Sequence, residues 1–163
     1  MLGKRRFHQG RCASAGAVLV EFALVAVVFF TVLLAAIEVA TMFWVDLTMQ
    51  YAVREGVRCA VTGQVNCTGV TGQTDRYAGI VQAIRMNSMG LYDYVSPVVT
   101  VWTVAADGSY QPPAPAQSFG IGGQIIVVDV DCTWPLMTAP VQAVFPGGQF
   151  RFRVAATMKN EAF

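Results

Sequence analysis

Ser14-Ala-Gly-Ala-Val-Leu-Val-Glu21-Phe-Ala-Leu24 opens a run that stays almost wholly apolar to Val45, and how this run is housed decides the fold. From Phe22 to Ile37 there is no charged residue, and Thr31 alone interrupts the apolar surface. A helix that is apolar all round must be buried inside a large protein or in lipid. A chain of 163 residues is too short to wrap such a helix, so the reading is a membrane span. Crossing the hydrocarbon takes about 20 residues at roughly 1.5 Å each. Ala17 to Ile37 supplies that length, with one acid, Glu21.

A carboxylate at mid-membrane costs about 2.5–3.5 kcal/mol even on the lenient insertion scale. Glu21 lies near one end of the span, where snorkelling lowers that cost. Taken alone, it reads equally well as an ordinary interfacial acid. Its surroundings are more specific. Gly16 is followed by a four-residue apolar spacer, Ala17 to Val20, then by Glu21-Phe22 and the long apolar run, and a short basic leader lies upstream. This arrangement resembles the prepilin-peptidase site of type IV pilin-like proteins. The resemblance implies cleavage between Gly16 and Ala17, with Glu21 as the fifth residue of the trimmed chain.

The segments Glu21-Phe22-Ala23-Leu24-Val25, Ile37-Glu38 and Ala52-Val53-Arg54-Glu55-Gly56-Val57-Arg58 resemble a TadE-like pseudopilin of the tight-adherence (Flp) pilus system. The C-terminal Ala156-Thr157-Met158-Lys159-Asn160-Glu161 is similar to the way that family ends. The chain has Val27 where many members carry Pro, and Val39-Ala40 where they carry an aromatic-Gly pair. The resemblance implies a minor pilin or pseudopilin of a cell-adhesion pilus, and the residues themselves offer no enzymatic site and no cofactor site. Its implied partners are a prepilin peptidase, other pilin-like subunits, and the pilus assembly platform in the bacterial inner membrane. Glu21 and Phe22 would serve assembly, the carboxylate meeting the new α-amino group of a neighbouring subunit.

Charge distribution gives an orientation. Lys4, Arg5, Arg6 and Arg11 precede the span and no acid does. The positive-inside rule therefore places the N-terminus in the cytoplasm and the C-terminal domain in the periplasm. Removing those four cations leaves seven of the eleven basic side chains against ten acidic ones, so the trimmed chain is mildly acidic. With no basic stripe remaining, nucleic acid is not an expected partner. A cleaved secretory signal has a shorter apolar core, followed by a small-residue cleavage site. Neither feature is present, which favours a retained anchor.

The expected organisation is a disordered basic leader over 1–16, a transmembrane and spine helix over 17–63, and an extracytoplasmic α+β domain over 64–163. Val45, Met49, Ala52, Val53, Gly56 and Ala60 recur at helical spacing, so the helix should continue past the membrane to Gly63. Gly56 in that stripe would let a sheet or a second helix come close. Thr74 is the expected cap of a second helix whose apolar face is Tyr77, Ile80, Val81 and Ile84 and which ends at Gly90. Val98 to Val104 reads as a strand, Asp107-Gly108 as a turn, and Gln111 to Gly123 as a Pro- and Gly-rich loop.

Ile126, Val128, Val130, Cys132 and Trp134 alternate with Asp129 and Asp131, and Phe150 to Met158 alternate with Arg151 and Arg153. Two acids on one strand and two bases on another suggest antiparallel neighbours with paired charges outward and apolar faces on the spine. The fold expected is thus α+β and pilin-like: at least three antiparallel strands carried on one long helix.

Cys12 lies in the leader. Cys59, Cys67 and Cys132 fall where disulfides can form, and three cysteines allow three single bridges. Cys59 and Cys67 bracket a Gly/Thr/Asn-rich loop and are the local choice, with Cys132 a small buried hydrophobe. The sole histidine, His8, is in the leader, so no triad or metal site is expected in the trimmed chain. Asp129 and Asp131 read as an ion-pair face, and Gly120-Ile121-Gly122-Gly123 precedes a strand, the wrong context for a phosphate loop. The alternative to a pilus subunit is a single-pass, membrane-tethered periplasmic binding module that uses the Pro-rich loop as its contact surface.

Overall fold

The computed structural model describes residues 11–67, 72–73, 75–113 and 118–162. Helix α1 runs Arg11–Val61, α2 Arg76–Asn87 and α3 Ala139–Gln142; the strands are β1 Val98–Val104, β2 Tyr110–Gln111, β3 Ile125–Pro135 and β4 Gln149–Lys159. The sheet is antiparallel with strand order β2-β1-β3-β4. The architecture is α+β, a small four-stranded sheet on one long helix.

Helix α1 has 51 residues, about 75 Å at 1.5 Å per residue. It starts at Arg11, whereas a disordered leader was expected up to Gly16; residues 1–10 lie outside the described residues. Nothing between Arg11 and Ala17 breaks a helix except Gly16, and one helix glycine costs only about 1 kcal/mol. The helix ends where Gly63 takes a positive φ of 71° and its N–H reaches the Ala60 carbonyl.

The C-terminal half of α1 is the spine of the domain. Val45, Met49, Ala52, Val53, Val57 and Ala60 are fully buried beneath Ile80 and Ile84 of α2 and Ile126, Val128, Val130, Cys132, Val154 and Ala156 of the sheet. Gly56 is where α2 crosses: a Cβ there would stand 2.3 Å from Ile84 Cγ1. In α2 the buried residues are Gly79, Ile80, Ala83 and Ile84, so Ala83 occupies the place expected of the half-buried Val81. Its N-cap is Asp75, whose carboxylate accepts from the Ala78 N–H at 3.3 Å; Thr74 lies outside the described residues.

Two tethers hold the top of the spine, and a third pins the loop beside it. The Arg76 guanidinium donates to the carbonyls of Ala60 and Gly120, the latter at 2.8 Å. Glu161 N–H donates to Val61 O at 3.0 Å, just beyond β4. Buried Asn160 donates to Phe119 O at 2.8 Å and Ile121 O at 3.1 Å, pinning the loop before β3.

Strands β3 and β4 alternate as their sequences require, but their charges pair only in part. Asp131 stands opposite Arg153, with Arg153 Nε 2.7 Å from Oδ1. Asp129 faces Ala155 and Arg151 faces Thr133, so the expected second pair does not form. The register is the reason: a shift of two residues would set Asp129 against Arg153 and Asp131 against Arg151, whereas the register that forms sets only Asp131 against Arg153. The two-residue strand β2 falls where the loop was expected to begin, paired with Thr103 and Val104 across the Asp107-Gly108 turn. Residues 114–117 of that loop lie outside the described residues.

Candidate functional site

The two halves of α1 have opposite surroundings. From Gly16 to Ile37 the side chains are exposed, apart from half-buried Ala26 and Ala35. This is the segment long and apolar enough to cross a bilayer, which supports a single-pass membrane anchor. Gly16 and Ala17 lie within the continuous helix, and nothing comes within 4 Å of a Cβ placed on Gly16. Glu21 and Phe22 are exposed on the next turn, and among the described residues no hydrogen bond or ion pair reaches Glu21. The structure therefore presents Gly16, Ala17, Glu21 and Phe22 together on one bare stretch of about two helical turns.

At Glu38 the surroundings change. Ala35, Glu38, Met42, Val45, Met49, Ala52 and Gly56 follow one another at spacings of three and four, a single seam along the domain side of α1. Glu38 occupies a core position in that seam and is buried. Its carboxylate accepts from the Met137 N–H, from the Thr138 N–H at 3.3 and 3.2 Å, and from the Thr138 hydroxyl. Those donors lie just before α3, at its N-cap Thr138 and the residue preceding it, so the carboxylate satisfies backbone N–H groups of the connection that lead into the helix. Around the clasp, Met42, Leu136 and Val141 form a second small core, with Ala35, Trp134, Phe145 and Phe150 packed against it. The connection between β3 and β4 is thereby folded down onto the membrane-proximal end of the spine.

Sequence reasoning named Glu38 only within the Ile37-Glu38 resemblance and gave it no structural role. The signal was its phase: four residues before Met42 and seven before Val45, on the stripe that reads as core. On the opposite face, Val39, Phe43, Leu47 and Tyr51 are exposed at successive spacings of four, with Trp44 beside them. This apolar stripe continues above the apolar span for about 18 Å.

At the far end of the spine, Cys59 and Cys67 are bonded, their Cα atoms 5.7 Å apart, while Cys132 is a buried free thiol. Burial, with Asp131 and Asp46 adding to it, pushes the Cys132 thiol up to about 12. Among the described residues no three metal-ligating side chains converge.

The bare helix with its lone acid, running into a clasped spine, is the segment that comparison with known proteins picks out. Residues 16–58 match the family model of TadE-like proteins. The TadE-like match begins at Gly16 and ends three residues short of the end of α1, so it covers the span, Glu38 and most of the buried seam. No curated protein and no solved structure matches the chain.

Proposed function

We propose that the chain is a minor pilin-like subunit of a tight-adherence (Flp) pilus, held in the bacterial inner membrane with its sheet domain in the periplasm. In this reading a prepilin peptidase trims it between Gly16 and Ala17, and it then packs with other pilin-like subunits on the pilus assembly platform. The observation that carries the reading is the exposed Val39-Phe43-Leu47-Tyr51 stripe. Lipid accounts for a bare apolar surface up to about Ile37. A simple anchor has no use for one that continues up the outer face of the spine, whereas a neighbouring long helix covers both halves at once.

Glu21 supplies the docking chemistry. Cleavage creates a positive α-amino group on Ala17, one turn from Glu21 and at nearly the same depth. In a medium of low dielectric an unpaired charge is far costlier than in water, so pairing this amine with the Glu21 of a neighbour favours a single axial register. Two variants test the reading in a host that carries the peptidase. Gly16→Leu should retain the leader, seen as a heavier membrane-extracted protein by mass spectrometry. Glu21→Ala should insert and be trimmed, yet fail to co-purify with pilin-like partners and fail to restore piliation in a deletion strain. Wild-type piliation by the Glu21→Ala protein at matched expression would refute the pairing. Retention of Met1 by the wild type would refute the processing.

A further inference from the structure

The connection between β3 and β4 has a composition that an ordinary surface loop does not. Between Asp131 and Arg151 there is no charged residue, and the stretch includes Trp134, Leu136, Met137, Val141, Val144, Phe145 and Phe150. Part of that surface forms the small core on α1, but Met137 remains 88% exposed and Val144 78% exposed. Two large apolar side chains at the tips of an uncharged connection want a cover.

The position of the connection says what the cover is. Met137 and Thr138 are hydrogen-bonded to Glu38, the first residue after the apolar span Ala17–Ile37. The small core reaches further toward the N-terminus, to Ala35, which lies inside that span. At 1.5 Å per residue the connection therefore touches the helix within about one turn of the hydrocarbon boundary. The headgroup region beyond that boundary is several ångströms deep, which leaves the connection no room to stay in bulk water. Absence of charge removes the usual barrier to entering it.

We infer that the β3–β4 connection is a second membrane-contact element, with Met137 and Val144 inserted into the interfacial zone of the bilayer beside the spanning helix. The inference rests on α1 being a membrane anchor and is independent of any pilus role. The occupant is lipid because the surface is continuous with the lipid-facing helix. A chain held by one helix could tilt freely, whereas one held by a helix and an adjacent loop has a defined tilt.

The test uses the full chain, reconstituted at high dilution in phosphatidylcholine/phosphatidylglycerol vesicles that carry a phospholipid with a diazirine near the headgroup end of its acyl chain. After photolysis, mass spectrometry locates the lipid adducts. Adducts are expected within 17–37 and within 136–149, with background only in the Asp107–Gln111 hairpin. In the double variant Met137→Asp, Val144→Asp the adducts in the connection should fall several-fold while those in the helix persist. Adducts confined to 17–37 in the wild type would overturn the inference and leave the anchor intact. Failure to label 17–37 would remove the anchor and the inference together.

Discussion

Gly16–Ile37 and Glu38–Val61 are the two halves of one uninterrupted helix, yet they are built on different rules. The first is apolar on every side and packs on almost nothing within the chain. The second has an apolar seam that begins at the clasped Glu38 and is covered by α2 and the sheet, and it carries its other charges outside that seam. Hydrophobicity alone therefore says little about what a helix does here. Its angular distribution does: a uniform surface suits lipid, and a seam suits a folded partner.

This contrast can be broken most severely by removing volume from the seam. Met49→Ala, at a fully buried position, should destabilise the domain by about 2–5 kcal/mol, whereas Phe29→Ala in the bare half should leave the domain's melting within about 0.5 kcal/mol. Near-UV circular dichroism melts in mild detergent would measure both, and equal effects would mean that the halves do not differ as described. The disulfide comes next. Cys67→Ser should cost about 2–3 kcal/mol, because a loop with a sequence separation of 8 is released in the unfolded chain. Intact-mass analysis with and without reduction would verify the bond in the wild type.

Glu38→Leu sharpens the boundary between the halves. It leaves the Met137 and Thr138 N–H groups without their acceptor, at an expected cost of about 1–3 kcal/mol. Hydrogen exchange should rise in 136–145 and remain unchanged in α2; unchanged exchange in both would refute the clasp. Arg153→Ala should have the smallest effect, about 0–1 kcal/mol, since the ion pair with Asp131 is solvent-exposed. Cys132 offers a probe that needs no substitution. With its thiol pushed up to about 12, it stays protonated at pH 8 and should resist iodoacetamide until the domain is denatured.

Much of this was legible in the sequence because periodicity survives translation into structure. The seam from Val45 to Ala60 and the alternation along β3 and β4 were readable, since burial follows the helical and strand periods directly. What escaped depended on partners distant in sequence. Glu38 is explained only by Met137 and Thr138, about 100 residues away. That only one charge pair stands directly opposite depended on strand register, which composition does not determine. Strand β2 has two residues beside Pro112-Pro113, too few to show a period. The candidate site divides the same way: Gly16 and Glu21 stand out because they interrupt an apolar run, while Glu38 is marked only by its phase on the seam.

The buried half of the helix is fastened to the sheet at both of its ends. Glu38 holds the β3–β4 connection at the bottom, and Val61 receives the N–H of Glu161, beyond β4, at the top. Strands β3 and β4 join those two fastenings, so they act as a strut of fixed length alongside the helix. The domain cannot slide along the helix axis without breaking both. Its height above the point where the helix leaves the apolar span is therefore a built-in dimension, and every copy that shares this anchor depth presents its sheet at the same level.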